Sequence, residues 1–135
     1  MREFNIHILA SYNVFYEGPC ESLVVPTIRG QYGIWAGHSN LISAVAPGKL
    51  TFRVSGGEEQ VAAVSAGIVK VENNEVLVLV DTAERPEEID ENRARRAAEE
   101  AKEAMLQKRS IQEYRSAQAH LARALNRLKV KRTGE

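Results

Sequence analysis

The chain has 135 residues, 44% of them apolar and 27% charged, a globular composition with room for one domain or for one small domain plus an appendage. No stretch approaches the ~18 consecutive apolar residues that a membrane-spanning helix requires, and a single cysteine, Cys20, excludes an intrachain disulfide. Formal net charge is zero but unevenly spread: residues 1–86 carry 9 acids and 6 bases, whereas residues 87–135 carry 9 acids and 12 bases.

The opening stretch, MREFNIHILASYNVF, has no long apolar run and no small-residue cleavage site, so no signal peptide is expected. Phe4, Ile6 and Ile8 alternate with Asn5 and His7, which puts alternate side chains on opposite faces of an extended chain. SLVVPTI, KLTFRV, EQVAAVSA, GIVKVE and EVLVLVD follow at short intervals, and Cys20 reads as a small buried strand residue. Between these runs fall Gly18-Pro19, Gly30, Gly37, Pro47-Gly48, Gly56-Gly57 and Asn73-Asn74. Gly-Gly and Asn-Asn supply the positive φ that tight hairpins demand, so both pairs are expected to turn one strand into the next. Many short strands with no helical pattern between them predict an antiparallel β-sandwich or barrel over residues 1–84.

At Glu84-Arg85-Pro86 the pattern changes. Proline suits the first turn of a helix, and the Glu87, Glu88, Asp90 and Glu91 that follow suit the positive end of its dipole. A first helix is expected from 87 to about 108 and a second from about 111 to 130, with Ser110 as the cap between them. Ala94, Ala98, Ala101 and Met105, broadened by Ala97 and Ala104, form a stripe on the first helix. Ile111, Tyr114, Gln118, Leu121, Leu125 and Leu128 step by 3 and 4 on the second. Residues 85–135 thus predict an antiparallel two-helix hairpin, and the whole chain an α+β fold. Alanine buries little area, so at ~25 cal/mol per Å² the seam is weak beside one of Leu and Ile. The hairpin is therefore expected to be a movable element.

Three stretches carry a family resemblance: GQYGIWAGHSNLISAV at 30–45, SAGIVKVENNEVLVLVDTAER at 65–85, and IDENRA at 89–94. In order and spacing they resemble the bacterial F-type ATP synthase epsilon subunit, whose members carry a Gly-His segment running into an apolar stretch and an Ile/Leu-Asp-x-x-Arg-Ala motif. The resemblance implies a non-catalytic central-stalk subunit whose β domain binds the gamma subunit and the ring of c subunits. It implies helices that lie folded or extend along gamma towards the catalytic beta subunits, where they impede ATP hydrolysis, and a peripheral location on the cytoplasmic face of the bacterial membrane. His38 is then a candidate contact residue towards the rotor partners.

The chemistry legible in the residues agrees with a non-catalytic role. The sequence holds no G-x-x-x-x-G-K-[ST] phosphate loop, and His7, His38 and His120 have no Cys or carboxylate at metal spacing, so neither catalytic nor metal-binding residues are expected. A sharper expectation concerns ATP. Asp90 and Arg93 share one helical face, as do Arg123 and Arg127. Reflection through a turn near 109–110 brings Arg93 and Arg127 together at the open end of the hairpin, where guanidinium forks can grip phosphate. The resemblance implies a regulatory ATP, with Mg, at Glu84, Ile89, Asp90, Arg93, Ala94, Arg123 and Arg127, while Glu100 stands where nucleotide-binding relatives have arginine. Ordinary solvent-facing arginines are the competing reading. The basic run at Arg115, Arg123 and Arg127 is also expected to face an acidic segment of the beta subunits. The alternative for the whole chain is a β domain and helical hairpin that bind another protein or nucleic acid. Against nucleic acid, Tyr114 is the only aromatic residue in the helices, which leaves no stacking platform.

Overall fold

The computed structural model describes residues 2–107 and 111–133. They form two compact units, Met1–Arg85 and Pro86–Glu135. The first is a β-sandwich of β1 (Phe4–Leu9), β2 (Val14–Thr27), β3 (Gly30–Trp35), β4 (Leu41–Val45), β5 (Gly48–Val54), β6 (Glu59–Val64), β7 (Gly67–Glu72), β8 (Glu75–Val80) and β9 (Ala83–Glu84). Strand order is β4-β7-β8-β1-β2-β5-β6-β9, with β3 also pairing to β2.

The expected alternation holds in β1: Phe4, Ile6 and Ile8 are buried and Asn5 and His7 face outward. They meet Leu23, Val25, Ile34, Leu50, Phe52, Val69, Val76 and Val78 in one apolar core. Cys20 is buried in it, as expected; its thiol donates to the Ser22 carbonyl at 3.0 Å, and burial pushes its pKa up. Asn73 and Asn74 adopt φ of 50° and 65° and join β7 to β8 in a two-residue hairpin. Gly56, at φ 71°, turns β5 into β6 through a longer loop.

Three features depart from the sequence expectation. Gly18-Pro19 does not end a strand but bends one. Residues Val14 to Cys20 of β2 pair with β1, those from Cys20 onward pair with β5, and the register shifts between Cys20 and Ser22. Gly18 makes the bend at φ 150° with the Tyr16 ring against it, where a Cβ would lie 2.9 Å from the Tyr16 hydroxyl. That hydroxyl donates to the Pro19 carbonyl at 3.0 Å. Secondly, β3 and β4 are strands where none was singled out; β3 has two glycines and buries only Ile34. The Trp35 indole lies over Gly33, 2.4 Å from where a Cβ would sit, so a larger residue there would turn the ring aside. Thirdly, β1 and β8 run parallel, since the opening strand is laid beside a late one rather than joined to it by a turn.

In the second unit a 3-10 turn at Pro86–Glu88 precedes α1 (Glu91–Gln107), and α2 spans Ile111–Thr133. The helix begins at Glu91 rather than 87 because Asp90 caps it: its Oδ1 accepts from the Arg93 N–H at 3.1 Å. Ser110 and the turn near 109–110 lie outside the described residues. The α1 stripe is as expected at Ala94, Ala98 and Ala101, all buried, with Ala97 and Met105 half-buried, but Ala104 is exposed. On α2 the buried positions are Ala117, Ala124 and Val130, whereas Tyr114, Gln118 and Leu125 are exposed. The side chain of Ile111 lies outside the described residues. The seam is therefore turned from the leucine stripe towards alanine. Alanine-on-alanine contact lets two helices approach closely, and Leu121 and Leu128, half-buried, flank the contact line.

Candidate functional site

The motif Ile-Asp-x-x-Arg-Ala is first of all a helix start. Asp90 is the cap, and its backbone carbonyl accepts from the Ala94 N–H at 3.0 Å. Ile89 before the cap and Ala94 in the first turn are both buried, at the two positions that a hydrophobic staple uses. The Arg93 N–H is spent on the cap while its side chain is exposed. The same end of the hairpin is closed by Lys131, whose Nζ donates to the Pro86 carbonyl at 3.3 Å, beside the fully buried Val130.

Turning the α2 seam towards alanine changes where its arginines lie. At about 100° per residue, Arg127 comes to the margin of the contact line instead of the far side. Arg123 and Arg127 are both half-buried, not solvent-facing. Arg123 Nη2 donates to His120 Nδ1 at 2.7 Å. Arginine cannot accept, so this nitrogen of His120 is unprotonated. His120 was not singled out as part of the arginine set, although it stands three residues before Arg123, and that spacing could have found it. Glu100, Glu113, Ser116 and His120 rim a groove of about 520 Å³ between α1 and α2, floored by Ala97, Ala101 and Ala117. Glu100 thus adds negative charge beside His120. Arg115 is exposed on the first half of α2. Glu84 belongs to the other unit, on β9 opposite Ala63.

In the loop after β3, His38 is held rather than loose. Its Nδ1 donates to the Ser39 carbonyl at 2.6 Å, and its Nε2 shares a hydrogen bond of 2.7 Å with the Tyr32 hydroxyl. The two rings meet edge to face, with centroids 5.6 Å apart. Asn74 fixes the loop: its Oδ1 accepts from the Gly37 N–H at 2.8 Å while its Nδ2 donates to the Glu3 carbonyl at 3.0 Å. Asn40 Oδ1 accepts from the Asn73 N–H at 3.0 Å. The Asn-Asn hairpin therefore serves both as a turn and as the anchor of the Gly37–Asn40 loop, a second use that turn propensity does not reveal. At the other limit of this unit, Arg85 lies 4.3 Å above the Phe15 ring and donates to the Phe15 carbonyl at 3.2 Å.

Among the described residues no group of three or more His, Cys, Asp or Glu is placed to hold a metal ion, and no helix is long and apolar enough to cross a membrane.

Residues 3–86 match the family model described as the ATP synthase delta/epsilon chain, beta-sandwich domain, and residues 87–132 match the corresponding long alpha-helix domain. The chain is 39% identical over 130 residues to the ATP synthase epsilon chain of Caldicellulosiruptor saccharolyticus, covering 96% of this chain and 94% of that one. It is likewise 39% identical over 130 residues to the epsilon chain of Shouchella clausii, with 96% of each chain covered. Among solved structures, the fold is similar to a chain of the Euglena gracilis mitochondrial ATP synthase, with a TM-score of 0.78 at 22% identity over 90% of this chain and 77% of that one.

Proposed function

The chain belongs to the ATP synthase delta/epsilon family as an epsilon chain, a non-catalytic component of that complex, and from this membership we propose that it is a rotor subunit whose helical hairpin restrains ATP hydrolysis. The observation that carries the reading is the agreement of two independent divisions. The family domains meet between residues 86 and 87, and the contacts within the chain divide it between Arg85 and Pro86. This agreement supports reading sandwich and hairpin as separate units.

In this reading the sandwich binds the gamma subunit and the ring of c subunits, with the pinned His38 loop as one contact. A loop held by Asn40, Asn74 and Tyr32 docks with little ordering cost. The complex attaches peripherally to the cytoplasmic face of a bacterial membrane. The hairpin, with basic Arg115, Arg123 and Arg127 on α2, meets an acidic surface of the catalytic beta subunits, drawn over a Debye length of ~8 Å at physiological salt. A regulatory ATP, with Mg, binds at the open end of the hairpin. Arg93 is exposed there, and Arg127 on the margin of the seam is within the same end of the helix pair. ATP bound only to the folded hairpin stabilises it by mass action and relieves the restraint when nucleotide is abundant.

Co-expression with the gamma subunit of the same complex tests the assignment. The chain is expected to co-purify with gamma through gel filtration, and His38→Ala to leave that pair intact while weakening attachment to the c-ring. Elution of the chain alone would contradict the assignment.

A further inference from the structure

On the outer face of the sandwich, far in sequence from the hairpin, His7 of β1 stands between two carboxylates. Its Nδ1 lies 2.5 Å from Glu17 Oε2 on β2, and its Nε2 lies 3.5 Å from Glu75 Oε2 on β8. The other oxygen of Glu75 accepts from Asn5 Nδ2 at 3.1 Å, so this carboxylate spans two outward residues of β1. The remaining charged groups facing the site come from β7: Lys70 and Glu72 pair with each other at 2.8 Å. Leu77 lies directly opposite His7, and a hollow of about 370 Å³ opens between His7, Lys70, Glu72 and Glu75.

A neutral imidazole has one N–H and can donate to only one of these carboxylates; its other nitrogen would then set a lone pair against carboxylate oxygen. Only the imidazolium donates at both ends. We propose that His7, Glu17 and Glu75 form a proton-dependent clamp across β1, β2 and β8, closed while the imidazole carries its proton and released when the proton is lost. The location gives the clamp leverage. β1–β8 is the parallel pair that joins the first strand to a late one, and β2 is the long strand shared in succession between β1 and β5. Release leaves three carboxylates, Glu17, Glu72 and Glu75, facing Lys70 alone.

The hydrogen bond to Glu17 is the largest influence on His7 and raises its pKa above the ordinary 6.5, against a smaller opposing effect of burial, with the charge of Glu17 and then Glu75 adding to the rise. A histidine raised on folding contributes stability that is whole below about pH 6.5 and is lost as pH climbs through the folded value. The side chains are 40% to 54% exposed, so solvent tempers the effect.

The test uses the full chain and nitrogen-15 NMR of its imidazoles, with His7 assigned by the signals that vanish in His7→Gln. His7 is expected to titrate above 6.5 with both ring nitrogens protonated at about pH 6. Glu17→Gln is expected to lower that value. Melting of the sandwich, followed by the fluorescence of Trp35, is expected to fall on the order of 3 °C further between about pH 5.5 and about pH 8.5 in the unaltered chain than in His7→Gln. A His7 that titrates at or below 6.5, a Glu17→Gln chain with unchanged titration, or parallel melting profiles would each overturn the clamp.

Discussion

Alanine at Gly67 is expected to unfold the β-sandwich or leave it marginal, a loss of at least about 3 kcal/mol. Gly67 sits between Val45 of β4 and Val80 of β8. A Cβ there would lie 1.9 Å from the Leu79 carbonyl oxygen and 2.9 Å from both the Leu79 carbonyl carbon and the Val80 Cα. These are backbone atoms of a strand laddered to β7 on one side and β1 on the other, so relief requires breaking pairs rather than turning a side chain. Just before this crossing, the buried Ser65 hydroxyl accepts from the Thr82 N–H at 2.9 Å, and the Thr82 carbonyl accepts from the Ser65 N–H at 3.1 Å. Segment 65–67 is thus bound tightly to segment 79–82. Gly56 is the contrast: nothing lies within 4 Å of its Cβ position, and only its φ of 71° resists substitution, so Gly56→Ala should cost about 1 kcal/mol. Urea melts followed by Trp35 fluorescence distinguish the two, and equal midpoints would contradict the packing described at Gly67.

The second large effect concerns nucleotide. Calorimetric titration of the full chain with ATP is expected to give a binding heat that Arg93→Ala abolishes and Arg127→Ala weakens by tenfold or more, the scale of a lost charge-assisted contact of ~1.5–3 kcal/mol. Asp90 separates structural from ligand roles. Asn caps a helix about as well as Asp, whereas Ala costs ~1 kcal/mol. If Asp90 acts by starting α1, Asp90→Asn keeps the ATP heat and Asp90→Ala diminishes it together with helix content. His120 holds one nitrogen of Arg123, so His120→Ala, which frees that fork, is expected to strengthen rather than weaken binding. No heat from the unaltered chain, or the same heat from Arg93→Ala, would remove the ATP site from the account.

What could be read in advance was mostly local. The period-2 burial of β1 and the left-handed Asn73 and Asn74 follow from neighbours in sequence. So do the Ala94, Ala98 and Ala101 stripe and the change from strands to helices around Pro86. What escaped was set by distant partners. Gly18-Pro19 looks like a break in a one-dimensional pattern; it becomes a bend because β1 and β5 claim successive parts of one long strand. The parallel β1–β8 pair joins residues some 70 apart, and no turn signal announces it. On α2 the leucine stripe was the stronger hydrophobic signal, but close approach is governed by size at the contact line, where alanine wins. The candidate residues divided in the same manner. Ile89, Asp90 and Ala94 were legible as a motif, yet their immediate physical work is to begin a helix. The pinning of His38 depends on Asn40 and Asn74, which carry no signal beyond turn propensity.

The regulatory role of the hairpin is the central claim, and the rate of ATP hydrolysis tests it most directly. The complex of catalytic hexamer and gamma should be assembled with the full chain, with a chain ending at Arg85, and with the full chain carrying Arg115→Ala, Arg123→Ala and Arg127→Ala. Hydrolysis is expected to be slowest with the full chain, released by the truncation, and largely released by the triple replacement. Equal rates in all three assemblies, each shown to retain the chain, would contradict it.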